Sequence, residues 1–335
     1  MSNFICLNEI KKACQTLKRV VVKSPFQKIK SYSQNYNSNI FFKREDLQEV
    51  RSFKIRGAFN KISSLSRSQA LNGLVCASAG NHAQGFAVSC TTLGYSGRVY
   101  MPKTTSNQKI EQVKKFGKNN IEIILYGENF TQAYELAIED CSDNNKIFIH
   151  PFDDIEVITG QATVFLEIIN QIDQELDYLF VPIGGGGLVS GAINVFKQIS
   201  PKTKIIGVEP KGAPSMFESL KKNKLVKLEK IDRFVDGIAV KQVGNYTFDF
   251  CKKYLDDLII IDENEICNSI LELKDQENII AEPAGAMSSA ALRHYRNKIF
   301  KKNIGCIICG GNNDNSRMSD IIKRAEVWKA NNPTN

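Results

Sequence analysis

The chain has 335 residues, too many for one small core and enough for two lobes with a cleft between them. Hydrophobic residues make up 42% and charged residues 24%, the balance of a folded globular protein rather than a disordered or fibrous one. The net charge of +8 comes from lysines scattered singly or in pairs such as Lys221-Lys222 and Lys301-Lys302, with no basic arm and no arginine-aromatic interleaving, which argues against a nucleic-acid partner.

From Ile40 onward, short β-branched or apolar runs alternate with longer stretches of helical periodicity, the pattern of a parallel sheet covered by helices. The first expected elements are a strand at Asn39 to Lys43, a helix at Phe53 to Leu65, a strand at Leu74 to Ala77 and a helix at Asn81 to Leu93. A strand at Arg98 to Met101, a helix at Ser106 to Phe116, a strand at Ile121 to Leu125 and a helix at Phe130 to Cys141 follow. Next come a strand at Ile147 to His150, a helix at Val157 to Ile172, a strand at Tyr178 to Ile183 and a helix at Leu188 to Ile199. The last are strands at Lys204 to Val208, Leu258 to Ile261 and Ile304 to Cys309, and a helix at Asp320 to Ala330. Strands that end in glycine just before a helix, as at Gly80 and Gly184, mark where open α/β sheets bind ligands. No internal repeat or low-complexity linker marks a domain boundary.

Four motifs carry candidate chemistry. Lys54 follows a strand-like FFK and a charged turn, flanked by Phe53 and Ile55; such a lysine is ordinarily a solvated helix residue, but desolvation would make its amine nucleophilic. In CASAGNHAQGFA, Ser78 and the amides from Ala79 to His82 stand at a helix start, where the geometry of a cap and of an anion site is the same. VPIGGGGLVSG puts four glycines between a strand and a helix, an arrangement that converges backbone N–H groups on a phosphate. It lacks the lysine of a Walker loop, and neither Val189 nor Ser190 is the third glycine of a dinucleotide fingerprint, although Glu209 ends the next strand. CIICGGNND ends a strand at Cys309, where a thiol reads first as core filling.

Other classes find less support. Apolar runs such as LFVPI are far shorter than the ~20 residues that cross a bilayer, and no signal peptide pattern opens the chain, so a cytoplasmic protein is expected. The nine cysteines are an odd count without regular spacing and read as reduced thiols. Cys306 and Cys309 form a C-x-x-C without a second pair, and are expected to be buried thiols. His82, His150 and His294 show no metal-binding spacing and are read as structural or scaffold residues.

Taken in order, SFKIRGA, SAGNHAQG, PIGGGGL and CGGNN resemble the fold type II pyridoxal phosphate enzymes, and most closely the threonine dehydratases, over nearly the whole chain. MPKTTSNQKIEQVKKFG, HPFDDIEVITGQATVFLEI, IIGVEPKGAPSM, FVDGIAVK and AEPAGAMSSAAL are similar as well. The resemblance implies a tryptophan synthase β-like α/β fold of two lobes, each with a mostly parallel open sheet flanked by helices. Residues 1–66 and 152–335 would form the large cofactor-binding lobe and residues 67–151 the small substrate-side lobe.

By the same resemblance the cofactor is pyridoxal 5′-phosphate, held by Lys54 as a Schiff base with Phe53 packed beside its ring. Gly184, Gly185, Gly186, Gly187 and Leu188 would cradle the phosphate, Asn81 would bond the ring's 3′ oxygen, and Cys309 would face the pyridine nitrogen where the family usually has serine. Ser78, Ala79, Gly80, Asn81 and His82 would take the carboxylate of a small amino-acid substrate. The implied reaction is dehydrative deamination of L-threonine to 2-oxobutanoate and ammonia, with Lys54 removing the α-proton and L-serine a slower substrate. Racemase-like sequences carry two serines before GNH, whereas Ala79 here cannot transfer a proton, which favours elimination over racemisation. The racemase-like cation site is also incomplete: Glu209 and the Ala213 carbonyl are present, but Ser215 replaces a carboxylate, so no metal is expected.

KREDLQ and FVDGIAVK lie nearer the biosynthetic branch, which points to the first step of isoleucine synthesis. The chain stops soon after CGGNND, so activity without a C-terminal isoleucine-sensing domain is expected, in a homo-oligomer. The alternatives are a serine racemase or serine dehydratase of the same family, then a nicotinamide-dependent oxidoreductase or a catalytically dead binder on the same scaffold.

Overall fold

Ten strands form two sheets in the computed structural model, which describes residues 4–333. The first strands are β1 (Phe26–Lys28), β2 (Asn39–Arg44), β3 (Leu74–Ala77), β4 (Gly97–Met101) and β5 (Ile121–Leu125). They are followed by β6 (Ile147–Phe148), β7 (Tyr178–Pro182), β8 (Lys204–Pro210), β9 (Asp257–Ile261) and β10 (Asn303–Ile308). The larger sheet runs β1-β2-β10-β7-β8-β9 and is parallel except for the edge strand β1; the smaller runs β5-β4-β3-β6 and is parallel throughout. This is the expected α/β architecture of two mostly parallel sheets flanked by helices.

The central strands read as continuous apolar runs because helices cover both faces. On β10 every residue from Ile304 to Ile308 is buried. Parallel pairing also brings the C-terminal ends of β3 and β6 to one edge of the smaller sheet and those of β7 and β10 to one edge of the larger. The segments after those ends carry Ser78, His150, Gly184 and Cys309.

The Lys54–Ser64 helix lies between the lobes, against the Asn81–Leu93 helix on one side and the Ile155–Ile169 helix on the other. Glycines permit the close approach: a Cβ on Gly85 would sit 2.9 Å from the Lys54 carbonyl carbon, and one on Gly160 would sit 2.5 Å from the Arg56 oxygen. The Ile155–Ile169 helix starts earlier than its apolar periodicity predicts because Asp154 caps it, accepting from the amides of Glu156 (2.8 Å) and Val157 (3.1 Å).

Several elements went unforeseen. β1 has only three residues and exists through its antiparallel pairing with β2, which no local periodicity announces. The Pro283–Ala291 helix, PAGAMSSAA, is buried at every position, so it has no amphipathic stripe to read. Helices Ser215–Lys221, Asn245–Tyr254 and Glu263–Glu277 likewise fill the second half of the chain. The final helix spans Met318–Asn331.

Beneath the Lys54 helix lies a buried, charge-balanced cluster. Arg56, fully buried, donates to Glu45 at 2.7 and 2.8 Å, to Glu167 at 2.8 and 3.0 Å and to Thr163 at 3.1 Å. Lys43, also fully buried, donates to Glu167 (2.6 Å), to the Ser24 carbonyl (2.7 Å) and to Gln171 (3.0 Å). Two cations thus meet two carboxylates, and removing one leaves an unpaired charge in the core. Arg56→Met is expected to lower the unfolding free energy by about 3–5 kcal/mol, measured by urea denaturation, whereas breaking the exposed Lys114–Glu111 pair changes it by less than ~1 kcal/mol.

Candidate active site

Lys54 opens its helix, and its Nζ donates to the Pro151 carbonyl at 2.8 Å. The side chain is half-buried, with the amine 5.3 Å from the centre of the Phe53 ring. Burial draws its pKa down to about 8, against an opposing pull from Cys309 and Glu282. The positive end of the helix acts in the same direction as burial. At pH 7 roughly a tenth of such amines are neutral, against well under a thousandth for an ordinary lysine.

Pro151 leads to Phe152, and Phe152 leads to the glycine loop. A Cβ on Gly185 would fall 2.2 Å from the Phe152 ring, and one on Gly184 would fall 2.8 Å from the Ile238 Cα. Gly186 takes φ +95°, a left-handed conformation that only glycine adopts without strain, and it serves as the N-cap of the Gly187–Ile199 helix. The helix therefore begins one residue before the expected Leu188, whose side chain is buried in the large-lobe core. Among the described residues, the amides of Gly184, Gly185, Gly186, Gly187 and Leu188 donate to no group of the chain. A row of unpaired N–H groups at a helix N-terminus is an anion site.

The second turn is held more tightly. The Gly80 amide donates to Ser78 Oγ at 3.2 Å, and a Cβ on Gly80 would meet nothing within 4 Å, so this turn faces open space. Asn81 opens the following helix; its Nδ2 donates to Glu282 at 2.7 Å, and its Oδ1 accepts from Asn312 Nδ2 at 2.8 Å. Among the described residues, the second Nδ2 hydrogen has no acceptor. The amides of Ala79, Asn81 and His82 make no hydrogen bond among the described residues.

Cys309 lies just past the end of β10, and its carbonyl accepts from the Phe53 amide at 3.2 Å, joining it to the Lys54 segment. Burial first, then the nearby Glu282, push its pKa well above the usual thiol value, so it stays a neutral thiol. Cys306, the other half of the C-x-x-C, is buried too, with Sγ 3.6 Å from the Ser288 carbonyl, and both thiols are free.

The structure thus gathers Lys54, Phe53, Cys309, Asn81 and the Ser78–His82 turn, and links the glycine loop to them through Pro151 and Phe152. His82 is buried and bonds the Ile149 carbonyl at 2.9 Å; burial and then Lys54 drive its pKa to about 3. His294 lies elsewhere, paired with Glu265.

Sequence reading passed over two groups here. Glu282, almost fully buried, accepts from Asn81 and, at 3.2 Å, from the Asn312 amide; burial and the charge of Asp236 raise its pKa to about 7 against the pull of Asn81, Asn312 and Lys109. His150, read as structural, sits in the turn beside Lys54; its Nδ1 accepts from the amides of Phe152 (3.2 Å) and Asp153 (2.7 Å), and burial brings its pKa to about 4. The only signal for Glu282 was its place in AEPAG before a helix-starting proline, and for His150 the turn-forming HPFDD.

Glu209, discussed above as a cation ligand, is fully buried and accepts from the amides of Met216 and Phe217, each at 2.8 Å. Among the described residues, no group of three or more His, Cys, Asp or Glu side chains is placed to hold a metal ion.

A desolvated lysine joined through Pro151 and Phe152 to a glycine loop with unpaired amides, at the strand ends of two mostly parallel sheets, defines a class. The chain belongs to the pyridoxal-phosphate dependent enzymes, whose family pattern matches residues 17–310. Within that class it is 51% identical to the biosynthetic L-threonine dehydratase of Halalkalibacterium halodurans, over 97% of this chain and 78% of the relative. The processed form of threonine deaminase isoform 2 from Solanum lycopersicum superposes with a TM-score of 0.91 at 38% identity, covering 96% of this chain and 88% of that one. Maize serine racemase superposes with a TM-score of 0.87 at 28% identity, covering 96% and 98%.

The raised pKa of Glu282 has a measurable sign. A carboxyl whose folded pKa lies above its unfolded value favours folding at low pH, and that contribution is lost as pH rises from about 4.5 through about 7. Thermal unfolding midpoints across that range are expected to fall more steeply in the unaltered chain than in Glu282→Gln.

Proposed function

We propose that this chain catalyses the dehydrative deamination of L-threonine to 2-oxobutanoate and ammonia with pyridoxal 5′-phosphate, serving isoleucine synthesis. The observation that carries the reading is the Lys54 amine, brought to a pKa of about 8 where the Asn81 helix, the Pro151 turn and the end of β10 meet. Similarity to enzymes named biosynthetic threonine dehydratases supports the substrate and the pathway.

The residues present fit the cofactor. Lys54 is the primary amine that would hold the cofactor through its aldehyde, and the unpaired amides of Gly184, Gly185, Gly186, Gly187 and Leu188 would suit its phosphate dianion. Phe53 would pack beside the ring, the free Nδ2 hydrogen of Asn81 would reach its 3′ oxygen, and the Cys309 thiol would face its nitrogen. When bound, the pyridoxal ring accepts the electron pair left at the substrate α-carbon.

The chain's own groups do the rest. The unpaired amides of the Ser78–His82 turn receive the substrate carboxylate and orient the α-carbon. The Lys54 amine, free during turnover, takes the α-proton; its lowered pKa keeps a useful neutral fraction at physiological pH. Cys309 stays a thiol and would donate only weakly to the ring nitrogen, leaving it little charged, which would suit elimination over long-lived carbanion chemistry. Ala79 offers no second acid or base at the position where the racemase-like pattern has serine, which favours elimination over racemisation. His82 and His150, held neutral by burial, are not proton carriers in this scheme.

Asn81 already bridges the lobes through Glu282, and we read Glu282 as a positioning residue that orients the Asn81 amide. We also read the chain as a cytosolic homo-oligomer, in keeping with nine free cysteines and with the finding that, among the described residues, no helix is long and apolar enough to cross a membrane.

Assays that separate 2-oxobutanoate from pyruvate test the reading. Threonine is expected to exceed serine in kcat/KM by about 10-fold or more, the discrimination one methyl group supports, and Lys54→Ala to lower turnover by at least about 100-fold. Absence of 2-oxobutanoate from the cofactor-loaded chain would overturn the assignment.

A further inference from the structure

A charged bridge joins the two lobes near the Asn81 end of the cleft. Lys109, on the Asn107–Gly117 helix of the small lobe, places Nζ 2.5 Å from Oδ2 of Asp236 in the large lobe. Asp236 belongs to a segment that borders the site on two sides. A Cβ on the next residue, Gly237, would lie 3.3 Å from a Glu282 carboxylate oxygen, and Ile238 packs against Gly184 of the glycine loop.

The segment is anchored from behind. Arg317 lies 3.5 Å from the other Asp236 oxygen, donates to the Phe234 carbonyl, and stacks its guanidinium 4.7 Å from the Phe234 ring centre. Arg324 approaches the same ring at 4.3 Å. Phe234 and its two arginines thus tie the loop to the C-terminal helix, leaving Asp236 to meet the small lobe.

Fold stability does not account for this bridge. The Lys109 and Asp236 side chains are 31% and 38% exposed, and pairs that exposed add little to folding. The small lobe, moreover, has a hydrophobic core of its own. What the pair does fix is the placement of one lobe relative to the other.

We propose that Lys109–Asp236, with Arg317 and Arg324 steadying the loop through Phe234, is a positioning bridge that holds the small lobe over the substrate and so sets apparent substrate affinity. This rests on the dehydratase reading above, in which the carboxylate binds the small-lobe Ser78–His82 turn while the cofactor sits on the large lobe. Substrate binding then requires both lobes in register, and the apparent affinity falls with the fraction of molecules in that arrangement. A half-exposed pair is also screened by salt, so the effect weakens as ionic strength rises.

The test compares the holoenzyme with Lys109→Met, Asp236→Asn, the double variant and Lys109→Arg. Each charge-removing single variant is expected to raise KM for threonine by about 2- to 5-fold with kcat little changed. The double variant should be no worse than either single, because both remove the same interaction. Lys109→Arg should keep the unaltered KM. Independently of turnover, amide hydrogen exchange across Asn107–Gly117 should quicken in Lys109→Met without a lower unfolding midpoint. Unchanged KM, additive single effects, or unchanged exchange would each overturn the bridge. If the unaltered holoenzyme gives no 2-oxobutanoate, the dehydratase reading fails instead, and the exchange data alone decide whether the bridge exists.

Discussion

Arg56 has no freedom of place. It is fully buried, two positions beyond Lys54 on the same helix, and its charge is met by Glu45 from the turn after β2 and by Glu167 from the Ile155–Ile169 helix. Sliding or rotating the helix would strand a guanidinium in the core at a cost of several kcal/mol. Lys43 completes the balance from β2, so the strand, the turn and two helices are fixed by one set of charges. The amine at the start of that helix is therefore delivered to one point in the cleft, and the glycine contacts of Gly85 and Gly160 hold both neighbouring helices close against it.

From that fixed point the electrostatics of the site follow. The environment that lowers the lysine pKa raises those of Cys309 and Glu282, because each effect is the same penalty on a buried charge acting on groups of opposite type. In the proposed scheme, with a thiol that keeps its proton, two neutral histidines and Glu282 engaged by Asn81 and Asn312, Lys54 is the side-chain base at the α-carbon. Elimination needs one base; racemisation needs a second on the other face.

Sequence showed much of this where the signal was local. The strand at Leu74–Ala77 and the helix at Asn81–Leu93 fall on their expected residues, and the four-glycine loop stood out because few folds leave so many glycines together unless backbone must be close to something. What stayed hidden were pairings across long separations. Glu282 meets Asn81 from 201 positions away, and nothing in AEPAG shows that its carboxyl is buried. Lys43 and Arg56 gave no local signal of burial, because their partners come from other segments. His150 drew attention only as a metal ligand and was set aside, while its actual part is to shape the turn whose Pro151 carbonyl receives Lys54.

The central claim is that Lys54, and no other lysine, is the amine that bonds the cofactor. Borohydride reduction of the cofactor-loaded chain, followed by digestion and peptide mass analysis, tests it most directly. The account predicts one phosphopyridoxyl mass increment, on the peptide that carries Lys54, and its loss in Lys54→Ala. A label on another lysine, or none on a chain that binds pyridoxal phosphate, would contradict it.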